Sequence, residues 1–122
     1  MPRQILEEAR IHPAIRGRIA ALHADIVAEV RAAADTNAVL VLGMSGNPYC
    51  RRARKSLQAA GVRFEYLEFG SYLSQWRRRN ALKMWTGWPT FPMVFVKGVL
   101  VGGASDLQAL VDSGELGRLI AA

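Results

Sequence analysis

A chain of 122 residues, 51% of them hydrophobic, is long enough for one domain with a proper core and too short for two of ordinary size. It has no apolar run of the ~18 residues a membrane-spanning helix needs, and MPRQILEEARIHPAIRGRIA lacks a signal peptide's apolar centre, so a cytoplasmic protein without a membrane role is expected. The net charge of +6 is concentrated in RRARK (Arg51 to Lys55) and RRRNALK (Arg77 to Lys83). These runs read as solvated helix faces or as a site for a small anion; without an interleaved aromatic ladder, nucleic acid is set aside as a partner.

From Pro13, Ile15, Ile19, Leu22, Ile26, Val30 and Ala33 recur at three- and four-residue spacing, which predicts one helix with a packing face, ending near Asp35-Thr36-Asn37. AVLVLG (Ala38 to Gly43) is a short continuous apolar run, the pattern of a strand covered on both faces. A helix follows from Pro48 to Ala60, stopped by Gly61. In VRFEYLEF (Val62 to Phe69) the residues Val62, Phe64 and Tyr66 alternate inward as in a half-buried strand.

The next helix is predicted over Tyr72 to Trp85. Pro89 and Pro92 in TGWPTFP forbid helix there, and MVFV (Met93 to Val96) reads as a buried strand. Lys97-Gly98 turns tightly into VLV (Val99 to Val101), making an antiparallel hairpin. After Gly102-Gly103, SDLQALVDSGELGRLIAA forms a last helical region. A strand, crossover helix and parallel strand followed by a hairpin predicts an α/β fold: one four-stranded mixed sheet flanked by helices, with SGNPYC, WPTFP and GGASD gathered at one end.

SGNPYCRR carries the chemistry. Asn47 suits a helix N-cap and Pro48 the first helical position. Cys50 then falls in the first turn, where the positive end of the helix dipole, Arg51 and Arg52 would favour a thiolate. Cys50, Ala53, Leu57 and Ala60 also form one apolar stripe, so a buried, inert thiol is the competing reading. A single cysteine rules out an intrachain disulfide, and His12 and His23 leave no metal-ligand spacing. Trp76, Trp85 and Trp88 read as core or pocket-wall residues.

NPYCRRARKSLQAAGVRF and WPTFPMVFVKGVLVGGASDL together resemble the glutaredoxin family, whose patterns are CPYC before a basic helix, then WPTxPQxFVxG, GG and an acidic residue. WPTFP is closest to the monothiol branch. The resemblance spans Ala38 to about Leu119, leaving residues 1–19 as an N-terminal extension and 20–122 as the glutaredoxin-like domain. It implies a thioredoxin-like fold, glutathione binding, glutathionylated protein thiols as partners, and electron transfer by thiol-disulfide exchange.

The family's nucleophile, the first cysteine, is Asn47 here, and the lysine expected just upstream is absent from Met44-Ser45-Gly46. Cys50 matches the resolving cysteine and is the candidate catalytic residue. The matching glutathione-binding positions are Asn47, Tyr49, Arg79, Phe91, Pro92 (a cis-proline in the family), Ser105 and Asp106, with Arg79 nine residues before Trp88 as in the monothiol branch. Met93 replaces a common glutamine. The iron-sulfur cluster of the monothiol branch uses the first cysteine, so none is expected here. Two functions stay open: an impaired or atypical glutathione-dependent oxidoreductase working through Cys50, and a non-catalytic module binding glutathione or an extended peptide.

Overall fold

A computed structural model describes residues 2–122. In chain order a 3-10 turn at Glu8–Arg10 is followed by α1 (Pro13–Ala21), α2 (Ala24–Thr36), β1 (Val39–Gly43), α3 (Pro48–Ala59), β2 (Glu65–Glu68), α4 (Trp76–Thr86), β3 (Met93–Val96), β4 (Val99–Gly102), α5 (Ala104–Asp112) and α6 (Glu115–Ala121). The sheet order is β2-β1-β3-β4, with β1 parallel to β2 and antiparallel to β3, and β3 antiparallel to β4. Lys97 and Gly98 both take positive φ, as a two-residue turn of this hand requires.

All five residues of β1 are buried. Alternation along β1 and β3 divides the core in two. Leu40, Leu42, Met93 and Phe95 pack with Ile26 and Val30 of α2 and Leu82 of α4. Val39, Val41, Val94 and Val96 pack on the other face with Ala53 and Leu57 of α3, Leu107 of α5 and Leu116 of α6. Val62, Phe64 and Tyr66 join this second cluster as predicted, although only Glu65–Glu68 forms ladder pairs.

Three predicted helices have different bounds. The helix from Pro13 is broken at Leu22-His23, where His23 takes φ 48°, and α1 buries no residue. Ile15, Ile19 and Leu22 are exposed because no other element covers α1; Ile26 and Val30 alone of the predicted face are buried, with Ala33 packed at the edge of the core. The helix of Tyr72 to Trp85 starts at Trp76. Its predicted first turn is captured by Ser71 and Ser74, whose hydroxyls accept from the Leu73 and Ser71 amides at 3.2 and 3.0 Å, a local alternative to helical bonding. The last helical region divides at Gly114, with φ 76°.

The N-terminal segment is tied to the end of α4, Arg3 donating from Nη2 to the Trp85 carbonyl at 3.2 Å. Among the described residues no helix is long and apolar enough to cross a membrane.

Gly43 shows how tightly β1 is covered. A Cβ there would lie 2.5–2.9 Å from the Tyr66 ring and hydroxyl. Gly43→Ala should therefore force the ring aside and lower stability by roughly 1–3 kcal/mol, measured as a fall in the urea midpoint; an unchanged midpoint would show that Tyr66 moves freely.

Candidate functional site

The three predicted loops do meet. Tyr49 of α3, Trp88, Thr90, Phe91 and Pro92 of the loop before β3, and Gly103 to Asp106 at the start of α5 line one cleft of about 370 Å³. The Phe91-Pro92 peptide bond is cis. The backbone N–H and C=O of Phe91, in the bend before β3, make no hydrogen bond among the described residues and are left free at the cleft.

Asn47 caps α3 as its residue type suggests. Its Oδ1 accepts from the Tyr49 amide at 2.8 Å and the Cys50 amide at 3.1 Å. Pro48 occupies the first helical position. Asp106 likewise caps α5: its Oδ2 accepts from Gly103 N–H at 3.0 Å, and Gly102 (φ 121°) must lack a Cβ because the Asp106 carboxylate fills that space. The remaining amides of the first turn of α5 have no intrahelical acceptor and open on the cleft beside exposed Ser105.

Cys50 departs from the thiolate reading. It is 0% exposed and packs in the same cluster as Met44, Phe69 and Phe91, whereas Ala53 and Leu57 point to the other face of the sheet. Burial pushes its thiol above the ordinary value; the Met44 backbone hydrogen bond and the charge of Arg54 pull it down by less, and Glu68 adds an upward push. Arg51 and Arg52, expected to activate it, are exposed. Ala60, the last member of the predicted stripe, is exposed too.

Arg79 is also elsewhere than expected. It is 7% exposed and does not line the cleft. Its Nη1 donates to the Phe69 carbonyl at 2.9 Å and to the Ser74 carbonyl, so the guanidinium holds the turn after β2. Arg52 does not line the cleft either, but it lies over the ring of Tyr49, which does, 5.6 Å from the centroid.

Sequence reasoning missed some of the lining. Thr90 lies inside the WPTFP loop and Gly103 inside GGASD, yet neither residue type by itself signals a binding role. Gly103 in fact brings the backbone near the Trp88 indole, whose Nε1 is buried without a partner among the described residues. Nor was there a signal for Arg54 stacking 4.2 Å over Tyr66, whose hydroxyl donates to Glu68 Oε1 at 3.1 Å. Arg54 on α3 and Tyr66 on β2 become neighbours only when helix and strand pack together, whereas Tyr66 and Glu68 share one strand.

The glutaredoxin family model matches residues 39–101. The chain belongs to the glutaredoxin family. This glutaredoxin is 45% identical over 94 residues to a glutaredoxin-like protein of Dictyostelium discoideum, a match covering 77% of this chain and 76% of that one. It is 34% identical over 82 residues to a probable monothiol glutaredoxin of Legionella pneumophila, covering 62% and 89%. The structure of oxidized glutaredoxin 2 from Chlamydomonas reinhardtii superposes with a TM-score of 0.69 at 28% identity, covering 80% of this chain and 92% of that one. The fold is thus thioredoxin-like, and the broad role is glutathione-linked thiol redox.

A raised thiol pKa has a defined sign for stability. Unfolded Cys50 ionises from about pH 8.5 while the folded thiol keeps its proton, so the contribution is complete below that pH and lost as pH rises towards the folded value. Tyr66, raised by burial and by its bond to Glu68, adds a loss of the same sign above about pH 10. Unfolding free energy should fall from pH 8.5 to 10, and the fall should be shallower in Cys50→Ala. Equal slopes in denaturant titrations of the two proteins would show that Cys50 ionises freely in the folded state.

Proposed function

We propose that the cleft binds glutathione, or the glutathionyl half of a mixed disulfide, without using Cys50 as a nucleophile. The observation that carries this reading is the complete burial of Cys50 beside a cleft that is itself open and polar-edged. Attack on a disulfide needs an accessible thiolate. Asn47 stands at the exposed helix start, and its amide forms no covalent bond to sulfur.

The cleft suits the ligand's chemistry. The α-carboxylate of the γ-glutamyl end fits the free amides of α5 beside Ser105. The central cysteine residue can pair through its backbone with Phe91 as a strand edge does. Arg52 brings a cation to the Tyr49 end for the glycine carboxylate, taking the place expected of Arg79. A volume of about 370 Å³ lies within the ordinary range for a small-molecule site.

An iron-sulfur cluster does not fit these residues. Such clusters are held by thiolates. The one cysteine is buried, and the oxygen of Asn47 is committed to capping α3. Anaerobic reconstitution with iron, sulfide and glutathione should leave the protein without visible cluster absorbance; a stable, stoichiometric chromophore would overturn this point.

Amide resonances of Thr90, Ser105 and Asp106 should shift saturably with reduced glutathione, equally in Cys50→Ser, and several-fold more weakly in Arg52→Ala. With glutathione disulfide near neutral pH, intact mass should show no adduct on the native protein and one glutathionyl group after unfolding. Asn47→Cys should acquire the adduct in the native state. Rapid native modification of Cys50 would instead make it an enzyme acting through that thiol, and the absence of shifts at millimolar glutathione would remove the binding function.

A further inference from the structure

On the face of α4 turned towards α1 and α2, two adjoining hollows of about 440 and 710 Å³ are separated by Leu22 and Met84, which line both. The first continues along Trp76, the second along Ile19, Val27 and Trp85. Three side chains that cores normally absorb stand in solvent here: Leu22 is 54% exposed, Trp76 57% and Met84 64%. Nothing among the described residues covers them, and they lie together along these adjoining hollows.

The charges around this groove have one sign. Arg77 and Lys83 line the first hollow and Arg31 the second; no Asp or Glu lines either. Arg77 lies 5.2 Å over the Trp76 ring and Arg31 5.8 Å over Trp85, so the cations border the apolar floor directly. Asp25, the neighbouring carboxylate on α2, faces Arg78 at 3.8 Å. Among the described residues Arg31, Arg77 and Lys83 form no ion pair.

We propose that this groove docks an amphipathic, acidic helical segment of another protein, with apolar side chains between Leu22, Trp76 and Met84 and carboxylates against Arg31, Arg77 and Lys83. α4, with 11 residues, spans about 16 Å, room for two to three apolar anchors at three- and four-residue spacing. A second copy of this chain is disfavoured, because a two-fold contact would set the same cations against each other. A concave groove also fits a helix better than a bilayer surface. Lys83 reaches within 5.9 Å of the Phe91 ring, so the docked partner lies next to the cleft, which would place a protein substrate or client beside it.

The test uses the full chain, isotope-labelled, and two synthetic helical peptides that share leucines at positions i, i+3, i+4 and i+7 but carry either glutamates or lysines on the flanks. The glutamate peptide should shift the Leu22 and Met84 methyl and Trp76 indole resonances saturably, and the lysine peptide should not. Met84→Glu and Trp76→Ser, both at exposed positions, should each weaken the glutamate peptide about tenfold, as for anchors at the centre of an interface. The double variant Arg77→Glu/Lys83→Glu should reverse the preference between peptides, with dispersed spectra showing that each variant is folded.

No shift at millimolar peptide, or the same response to both peptides, overturns the proposal. So does perturbation of these resonances by phosphatidylserine vesicles in place of the peptide, which would make the groove a membrane contact. Concentration-dependent shifts without peptide, together with a dimer in sedimentation, would assign the groove to a second copy.

Discussion

The double-sided burial of β1 governs where everything else in this chain can lie. Five consecutive residues, Val39–Gly43, are covered by α2 and α4 on one face and by the α3, α5 and α6 layer on the other. β3 runs antiparallel to β1 and β4 antiparallel to β3, so the end of β1, the start of β3 and the end of β4 coincide at one edge. The chain leaves the sheet there as Met44 to Asn47, enters through Thr90 to Pro92, and leaves again through Gly102-Gly103. The cleft follows from strand direction. Backbone bonds brace it: the Phe69 amide donates to Gly43 at 2.8 Å and the Ser45 amide to Gly70 at 2.6 Å.

The same packing decides the chemistry at Cys50. A helix N-terminus and nearby cations favour a thiolate by about 0.3–1 kcal/mol each at exposed sites. Full desolvation can oppose ionisation by several pKa units, at about 1.4 kcal/mol per unit. At Cys50 desolvation is the largest influence and outweighs the Met44 backbone bond and the charge of Arg54, so the thiol is pushed up. The positive end of α3 is instead met by the Asn47 oxygen, which answers two first-turn amides without introducing a charge. At α5 the Asp106 cap takes only the Gly103 amide, and that helix start keeps donors free at the cleft.

α4 connects the two surfaces of the molecule. Its buried side, Ala81 and Leu82, packs in the core, while Arg79 turns inward to hold the backbone carbonyls of Phe69 and Ser74. Removing the Arg79 guanidinium would leave the buried Phe69 carbonyl without this donor, a larger disturbance than loss of a ligand contact alone. Its opposite side carries Trp76 and Met84 into the groove. Lys83 lies between the two, near Phe91. A single helix thus supports the loop of the cleft and presents the apolar groove.

Features that depend on a few neighbouring residues were legible in the sequence: the apolar run of β1, the Asn47-Pro48 start of α3, the Lys97-Gly98 turn and the Thr-Phe-Pro loop. Each rests on local sterics or a hydrogen bond two or three residues away, and the order of strands then implied which loops meet. The tertiary structure decided what those local signals do not contain. Periodicity placed Ile15, Ile19 and Leu22 on one helical face but not whether another element would cover it. Motif spacing placed Arg79 near the site, while the carbonyls of Phe69 and Ser74 claimed its guanidinium. Cys50 had a helix start and arginines around it in sequence, yet its solvation depends on Met44, Phe69 and Phe91, brought together by the closing of the sheet. Burial is a property of the whole fold, and for Cys50 it determines which protonation state the sulfur keeps.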